Sequence, residues 1–419
     1  MPSTQPAGRR RYTDGSEVNT MRIQDEYARC VELARPWRRA RPRRDAAAGL
    51  TLTDEHALVE HEPEWAELAE VPAFNALGYD GAGQVVAVLD SGVERATPAL
   101  AENWGGGVST IPGDTWLWHR GDRCDSFFHG TATAGVVAQA MPHARLLALK
   151  AFDQRPSTRL GARRNEVQWW VRAIDWLHRW QAKHEVRGVV VNISMGLTPA
   201  RAPRGSASWI KAWADVRALE QAITRSVDEF GNVYCAAAAN DGQRGSPPSY
   251  PAAFDGLVLA AGSLRLERHN GRLFVELSEF SNTNAYVDFV CPGEDVWTFL
   301  PTRTAAQFRR VYESAIASGA MRVERGRCGG VTQWLVELDG TSFASPALAA
   351  LVAGVMQECK RQHDGHIPTT AEVRRTLVER SERFTDENGR TWLVPTLLAS
   401  AGAAASSSGL LDGAKTEYE

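Results

Sequence analysis

From residue 84 onward the chain alternates short continuous apolar runs with longer segments whose apolar residues recur every three or four positions. QVVAVLD, at 84–90, is an unbroken apolar run ending in an acid, the pattern of a strand buried on both faces. HGTATAGVVA, from His129, predicts a helix of small residues. ARLLALKAF (144–152) predicts a second strand and NEVQWWVRAIDWLHRWQAK (165–183) a long amphipathic helix. GVVVNISMG (188–196), WIKAWADVRALEQAITRSVDEFG (209–231), NVYCAAAAN (232–240) and LVLAAGS (257–263) continue as strand, helix, strand and strand. This alternation predicts an α/β fold, a mostly parallel sheet with helices on both faces. Trp169, Trp176 and Trp180 fall at helical spacing and are expected to pack on that sheet. Two stretches interrupt the rhythm. Residues 264–278 predict a hairpin turning at Asn270-Gly271. Residues 301–338 predict a helix, a basic Gly-rich turn and a strand.

Ahead of residue 71 the pattern is weaker. Residues 53–70 hold short helical periodicities broken at Pro63, and EHALVEHE (55–62) predicts a solvated acidic helix. Residues 1–45 carry eleven Arg, no Lys and six acids, a flexible N-terminal tail by composition. Residues 401–419 start as Ala- and Ser-rich low-complexity sequence, a C-terminal tail. Of 419 residues, 43% are hydrophobic and 23% charged, which excludes disorder throughout. A net charge of -3 gives the whole chain no nucleic-acid footprint. No run approaches 18 uncharged apolar residues, so no membrane span is expected. The N-terminal arginines are followed by no apolar run of the secretory kind. None of the six cysteines forms a C-x-x-C pair, and they are read as reduced thiols of a cytoplasmic protein.

Several chemical signals are weak. GAGQVV (81–86) precedes a strand, whereas a dinucleotide loop follows one. His56 and His61 are five apart, off the i, i+4 spacing of a helical metal pair. No G-x-S-x-G elbow occurs. Four positions stand out instead. Asp90 ends an apolar strand, where open α/β sheets bind ligands. His129 opens a helix, whose positive end is expected to lower its pKa and favour the neutral base. Ser342, in DGTSFASPALAALVAGV, lies at the start of a helix, among free backbone N–H groups, with Pro346 expected in the first turn. Asn240 is expected to end the strand YCAAAAN. Together they supply an orienting carboxylate, a base, a nucleophile and an amide donor for an oxyanion. Ser345 is the rival hydroxyl, placed one turn into the helix.

These residues, in the order Asp, His, Asn, Ser, resemble the subtilisin-like serine peptidases, the subtilase family. The resemblance rests on VAVLDSGV, HGTATAGVVA, VVVNISMG, CAAAAND, SYPAAF, EFSNTN, CPGEDVW and GTSFASP, and covers residues 71–400. It implies a three-layer fold, a triad of Asp90, His129 and Ser342, and Asn240 as oxyanion donor. It also implies that Ser194, Met195 and Gly196 line the substrate cleft and that Ser249, before Tyr250-Pro251, forms the floor of a specificity pocket. With Ala237 and Ala238, that lining is uncharged, so a neutral residue is expected before the cleaved bond. The expected function is an intracellular serine endopeptidase acting on proteins or peptides, with processing of one cytosolic precursor as the narrower form. The alternative is an idle subtilase fold used for binding. No cofactor is required. Structural calcium is common in the family, but no D-x-D-x-D loop occurs and no metal site is assigned. The chain departs from the family at Ala239, where a Gly is usual, and in the apparent insertions at 264–278 and 301–338. Residues 46–70 are expected to form an N-terminal arm or a short pro-segment, packed on the domain or laid along the cleft as an added strand.

Overall fold

The computed structural model describes residues 59–60, 64–112, 125, 128–152, 166–242, 246–269, 272–302, 305, 308–309, 313–319, 321–328, 331–386 and 388–398. The two predicted tails, residues 46–58 and His61 lie outside the described residues.

Strand β1 (Val59–Glu60) is followed by helices α1 (Glu64–Leu68) and α2 (Val71–Ala76). Strands β2 (Val85–Asp90) and β3 (Trp104–Ser109) precede helix α3 (His129–Ala140) and strand β4 (Arg145–Lys150). Then come α4 (Val167–His184), β5 (Val190–Ile193), α5 (Ala207–Phe230) and β6 (Val233–Ala237). Strands β7 (Val258–His269), β8 (Arg272–Leu277), β9 (Phe289–Pro292) and β10 (Val296–Phe299) follow. The chain continues through α6 (Glu313–Ala317), β11 (Val323–Cys328) and β12 (Val331–Leu338). It closes with α7 (Thr341–Gln362), α8 (Thr370–Arg380), β13 (Glu382–Thr385) and β14 (Thr391–Val394).

The main sheet has the order β3-β4-β2-β5-β6-β7-β8, with β9 also paired to β7. All pairings are parallel except β7–β8. The period-2 alternation of β2 sorts its residues into two cores. Val85, Ala87 and Leu89 join α4 and α5 on one face, while Val86 and Val88 join α3 and α7 on the other. Asp90 continues the second set, so its carboxylate falls on the side of the helix that His129 opens.

Helix α3 is made of small residues because its neighbours leave no space. A Cβ at Gly130 would meet Gly92 O at 2.0 Å, and one at Gly135 would meet Thr298 Oγ1 at 2.5 Å. Helix α7 is long and apolar enough to cross a membrane by length and composition, but 83% of its most apolar window is buried among the protein's own elements. In α4, Trp169 and Trp170 are buried, whereas Trp176 and Trp180 pack at the edge of the same core. Trp170, at 0% exposure and absent from the expected set, sits deepest.

Two expectations are corrected by long-range pairing. Val59–Glu60, inside the stretch read as an acidic helix, is a strand paired in parallel with Gly326 and Arg327 of β11. The basic segment 323–328, read as part of a turn, is itself a strand, antiparallel to β12. Alternate residues of such a ladder face opposite ways, so its arginines coexist with pairing. The resulting sheet, β1-β11-β12-β10, stands beside the main one. Its β10 grips α3, with Thr298 Oγ1 donating to Ala132 O at 2.6 Å and Gln139 Nε2 donating to Trp297 O at 3.1 Å. Trp65, Ala66 and Ala69, on or just after α1, are buried in the core that holds α7, so the end of the N-terminal arm packs on the domain. The β7–β8 pairing runs from Leu264↔Leu277 to His269↔Arg272 and brackets residues 270–271, which lie outside the described residues.

Candidate active site

Asp90 is the last residue of β2 and is fully buried. His129 is the first residue of α3, and its Nδ1 lies 2.9 Å from both carboxylate oxygens of Asp90. A bond at Nδ1 fixes the tautomer that leaves Nε2 as the acceptor. Burial alone pulls the His129 pKa down, but the charge and hydrogen bond of Asp90, with the charge of Asp125, outweigh it and raise the pKa above its usual 6.5. The expectation that the helix end would lower it is overturned: nearby full charges outweigh a partial one.

Ser342 is the second residue of α7 and is half-buried. Its Oγ donates to Ser194 O at 3.1 Å. The Phe343 ring stands 5.7 Å from the His129 ring, which puts the start of α7 beside the start of α3. Pro346 is the sixth residue of α7, past the first turn where it was expected. Lacking an N–H, it cannot bond the Ser342 carbonyl one turn back. That carbonyl instead accepts from Ser194 Oγ at 2.8 Å. Ser194 Oγ in turn accepts from Asn192 Nδ2 at 2.9 Å, and Asn192 Oδ1 accepts from Ser345 Oγ at 2.6 Å. Ser345 thus spends its hydroxyl on a buried partner, and Asn192, unnoticed in the sequence, ties β5 to α7.

Asn240 lies three residues beyond the end of β6, not at the strand end. Its Oδ1 accepts from Thr341 N at 2.9 Å and Thr341 Oγ1 at 2.8 Å, which leaves the Nδ2 side to donate. A Cβ at Gly340 would lie 3.3 Å from Asn240 Nδ2 and 3.6 Å from Ser342 N, so an amide donor and a helix-end N–H flank one position. The loop that carries Asn240 is held by Asn282, whose N donates to Ala239 O at 3.0 Å and whose Oδ1 accepts from Asp241 N at 2.8 Å. Ala239 has φ 86°, in the region that favours glycine. A left-handed alanine costs roughly 1–2 kcal/mol. Ala239→Gly is therefore expected to raise stability by about 1 kcal/mol, read as an increased denaturant midpoint at unchanged slope.

The cleft residues converge as well. Ser194, Met195 and Gly196 follow β5 directly, and Leu197 pairs with Tyr250, with N–H···O distances of 2.7 and 2.8 Å. A Cβ at Gly196 would meet Ser249 Oγ at 2.1 Å, so the buried Ser249 hydroxyl fills the space opposite Gly196. Ala237, the last residue of β6, and Ala238 are buried. Tyr286, which sequence alone did not suggest, links Ser249 to Ala238: its hydroxyl accepts from Ser249 N at 3.3 Å and donates to Ala238 O at 3.1 Å. Burial pushes its phenol pKa up, so it keeps the proton it donates. Asp241, next to Asn240, carries a charge and is paired with Arg201.

Among the described residues, no group of three or more His, Cys, Asp or Glu could hold a metal ion. Cys235, Cys291 and Cys359 are free thiols.

Residues 81–402 match the subtilase family of peptidases. The chain belongs to the subtilase family. This subtilase is 30% identical to the major intracellular serine protease of Bacillus subtilis (strain 168) over 269 residues, 60% of this chain and 71% of that one. It is 27% identical to subtilisin E of the same organism over 260 residues, 59% of this chain. It spans 57% of subtilisin E's length. In structure it is similar to a lanthipeptide protease, with TM-score 0.54 and 19% identity, covering 76% of this chain and 86% of that one. The three-layer α/β architecture is the subtilisin-like fold.

Proposed function

We propose that this subtilase is a serine endopeptidase in which Ser342 attacks the peptide carbonyl, His129 relays the proton and Asp90 orients His129. The observation that carries this reading is the two-oxygen contact of Asp90 with His129 Nδ1, set beside a serine at a helix N-terminus. Attack turns the Ser342 hydroxyl hydrogen from Ser194 O to His129 Nε2. As the Oγ–C bond forms, His129 takes the proton and then delivers it to the departing amine. The carbonyl oxygen becomes an oxyanion between Asn240 Nδ2 and Ser342 N–H. Water, deprotonated by His129, then attacks the acyl carbon, and His129 returns the proton to the departing Ser342 Oγ. The substrate would add as a strand along Ser194–Gly196. Two relatives bear the name of intracellular serine protease, which supports a cytoplasmic site of action.

The test is digestion of a mixed peptide library with mass-spectrometric mapping of the cuts. The proposal requires cleavage with a neutral residue before the cut. The extra sheet against α3 narrows substrate choice in this reading, so one preferred motif is expected, as in precursor processing. Binding without cleavage would make the chain an idle subtilase. Strong preference for Arg or Lys before the cut would mean that Asp241, freed from Arg201, governs the pocket.

The Ser249 hydroxyl sets the depth of this pocket. Ser249→Gly is expected to raise kcat/KM for a phenylalanine before the cut, relative to alanine, by about 10-fold, within the 1–3 kcal/mol that a small change of pocket volume commands. Paired fluorogenic peptides differing at that residue check it. An unchanged ratio would place the pocket elsewhere.

A further inference from the structure

Four residues before His129, Asp125 makes a set of contacts that the chemistry above does not use. Its Oδ1 accepts from Ser91 Oγ at 2.8 Å and from Phe128 N at 2.8 Å. Its Oδ2 accepts from Thr131 N at 2.8 Å and Thr131 Oγ1 at 2.5 Å. The side chain is 5% exposed. Ser91 directly follows Asp90, and its Oγ also accepts from Gly130 N at 3.0 Å. One carboxylate therefore joins the residue after Asp90 to residues on both sides of His129. It also holds Phe128 at φ 84°, a conformation unfavourable for a phenylalanine and one that the surrounding bonds must enforce. That bend places His129 at the first position of α3.

We propose that Asp125 is a positioning residue: it clamps the start of α3 to the end of β2, so that His129 is presented to Asp90 and Ser342 in reacting geometry. This rests on the peptidase reading but adds a residue to it. The clamp is electrostatic as well as geometric, because the Asp125 charge favours the protonated ring of His129. Asp90 is the other charge that favours the protonated ring; on the neighbouring segments, Lys150 pairs in register with Asp90, and Glu94 N donates to Thr131 Oγ1 at 2.9 Å. The Glu94 carboxylate accepts from Thr97 Oγ1 at 3.1 Å.

Asp125→Asn removes the charge and keeps the shape. Expected are a fall in kcat of about 10–10²-fold with KM within roughly twofold, the pattern of a misplaced reacting group. The acidic limb of kcat/KM should also move to lower pH, because losing a neighbouring negative charge lowers the His129 pKa. A merely structural residue would lower the yield of folded enzyme and leave that limb in place. Ser91→Ala cuts the same clamp without touching the charge, so kcat should fall several-fold with the limb unmoved. Should Asp125→Asn fail to fold, the Ser91→Ala result decides. The His129 titration followed by nitrogen NMR in the full chain needs no turnover, so it separates this proposal from the peptidase reading. A His129 pKa and a kcat unchanged in Asp125→Asn, or an unchanged kcat in Ser91→Ala, would overturn the proposal.

Discussion

Ser342→Ala is expected to remove nearly all peptidase activity, with a loss of about 10⁶-fold in kcat, the size seen when the nucleophile of a subtilisin is removed. The fold should survive. Ser342 is half-buried, and its hydroxyl makes a single bond, to Ser194 O, of the kind worth about 1 kcal/mol. The Ser194 Oγ bond goes to the Ser342 carbonyl and persists in the variant. Circular dichroism and thermal unfolding of the variant should overlay those of the parent within a few degrees, while progress curves on a fluorogenic peptide fall to background. Activity within 100-fold of the parent would take the nucleophile's role from Ser342.

Asp90→Asn is expected to lower kcat by about 10⁴-fold, again the scale known from serine peptidase triads. Both Asp90 oxygens lie 2.9 Å from His129 Nδ1. An asparagine puts an N–H in one of those positions and favours the tautomer with its proton on Nε2, which cannot accept from Ser342. The variant also loses the charge that helps raise the His129 pKa, so its residual activity should reach its plateau at lower pH than the parent's. The parent, with the pKa raised, needs a pH above 6.5 to hold His129 as a free base. A pH-rate series on both proteins checks the size and the sign together. A kcat within tenfold of the parent, or an acidic limb moved upward, would contradict the orienting role.

Asp90, His129, Asn240 and Ser342 stand out in the sequence because Asp90 closes an apolar strand, His129 and Ser342 stand at the starts of helices, and Asn240 lies just beyond a strand. Such positions are written locally: VVAVLD gives the strand end and HGTATAGVVA the helix start. The residues that hold these four in place are not written locally. Asn192 reaches Ser345 across 153 residues, Asn282 reaches Asp241 across 41, and Asp125 reaches Ser91 across 34. Hydrophobic periodicity carries no trace of such pairs. The same holds for β1, two residues whose partner strand begins at Val323. The sign of the His129 shift is not legible in the sequence for a related reason. Sequence shows the helix end but not the distances of Asp90 and Asp125, and those distances decide which field wins. Pro346 falls in the second turn because the helix begins at Thr341, and its ring leaves free the carbonyl that Ser194 binds.

The most direct measurement is covalent labelling of the native full chain with a fluorophosphonate, followed by peptide mapping. The probe forms a stable bond only with a serine oxygen made nucleophilic by its base. The expected result is one adduct, on Ser342, formed at a rate that rises with pH through the ionisation of His129 and falls by orders of magnitude in Asp90→Asn. No adduct on folded protein, or an adduct on Ser345 in place of Ser342, would contradict the assignment of this site as the catalytic centre.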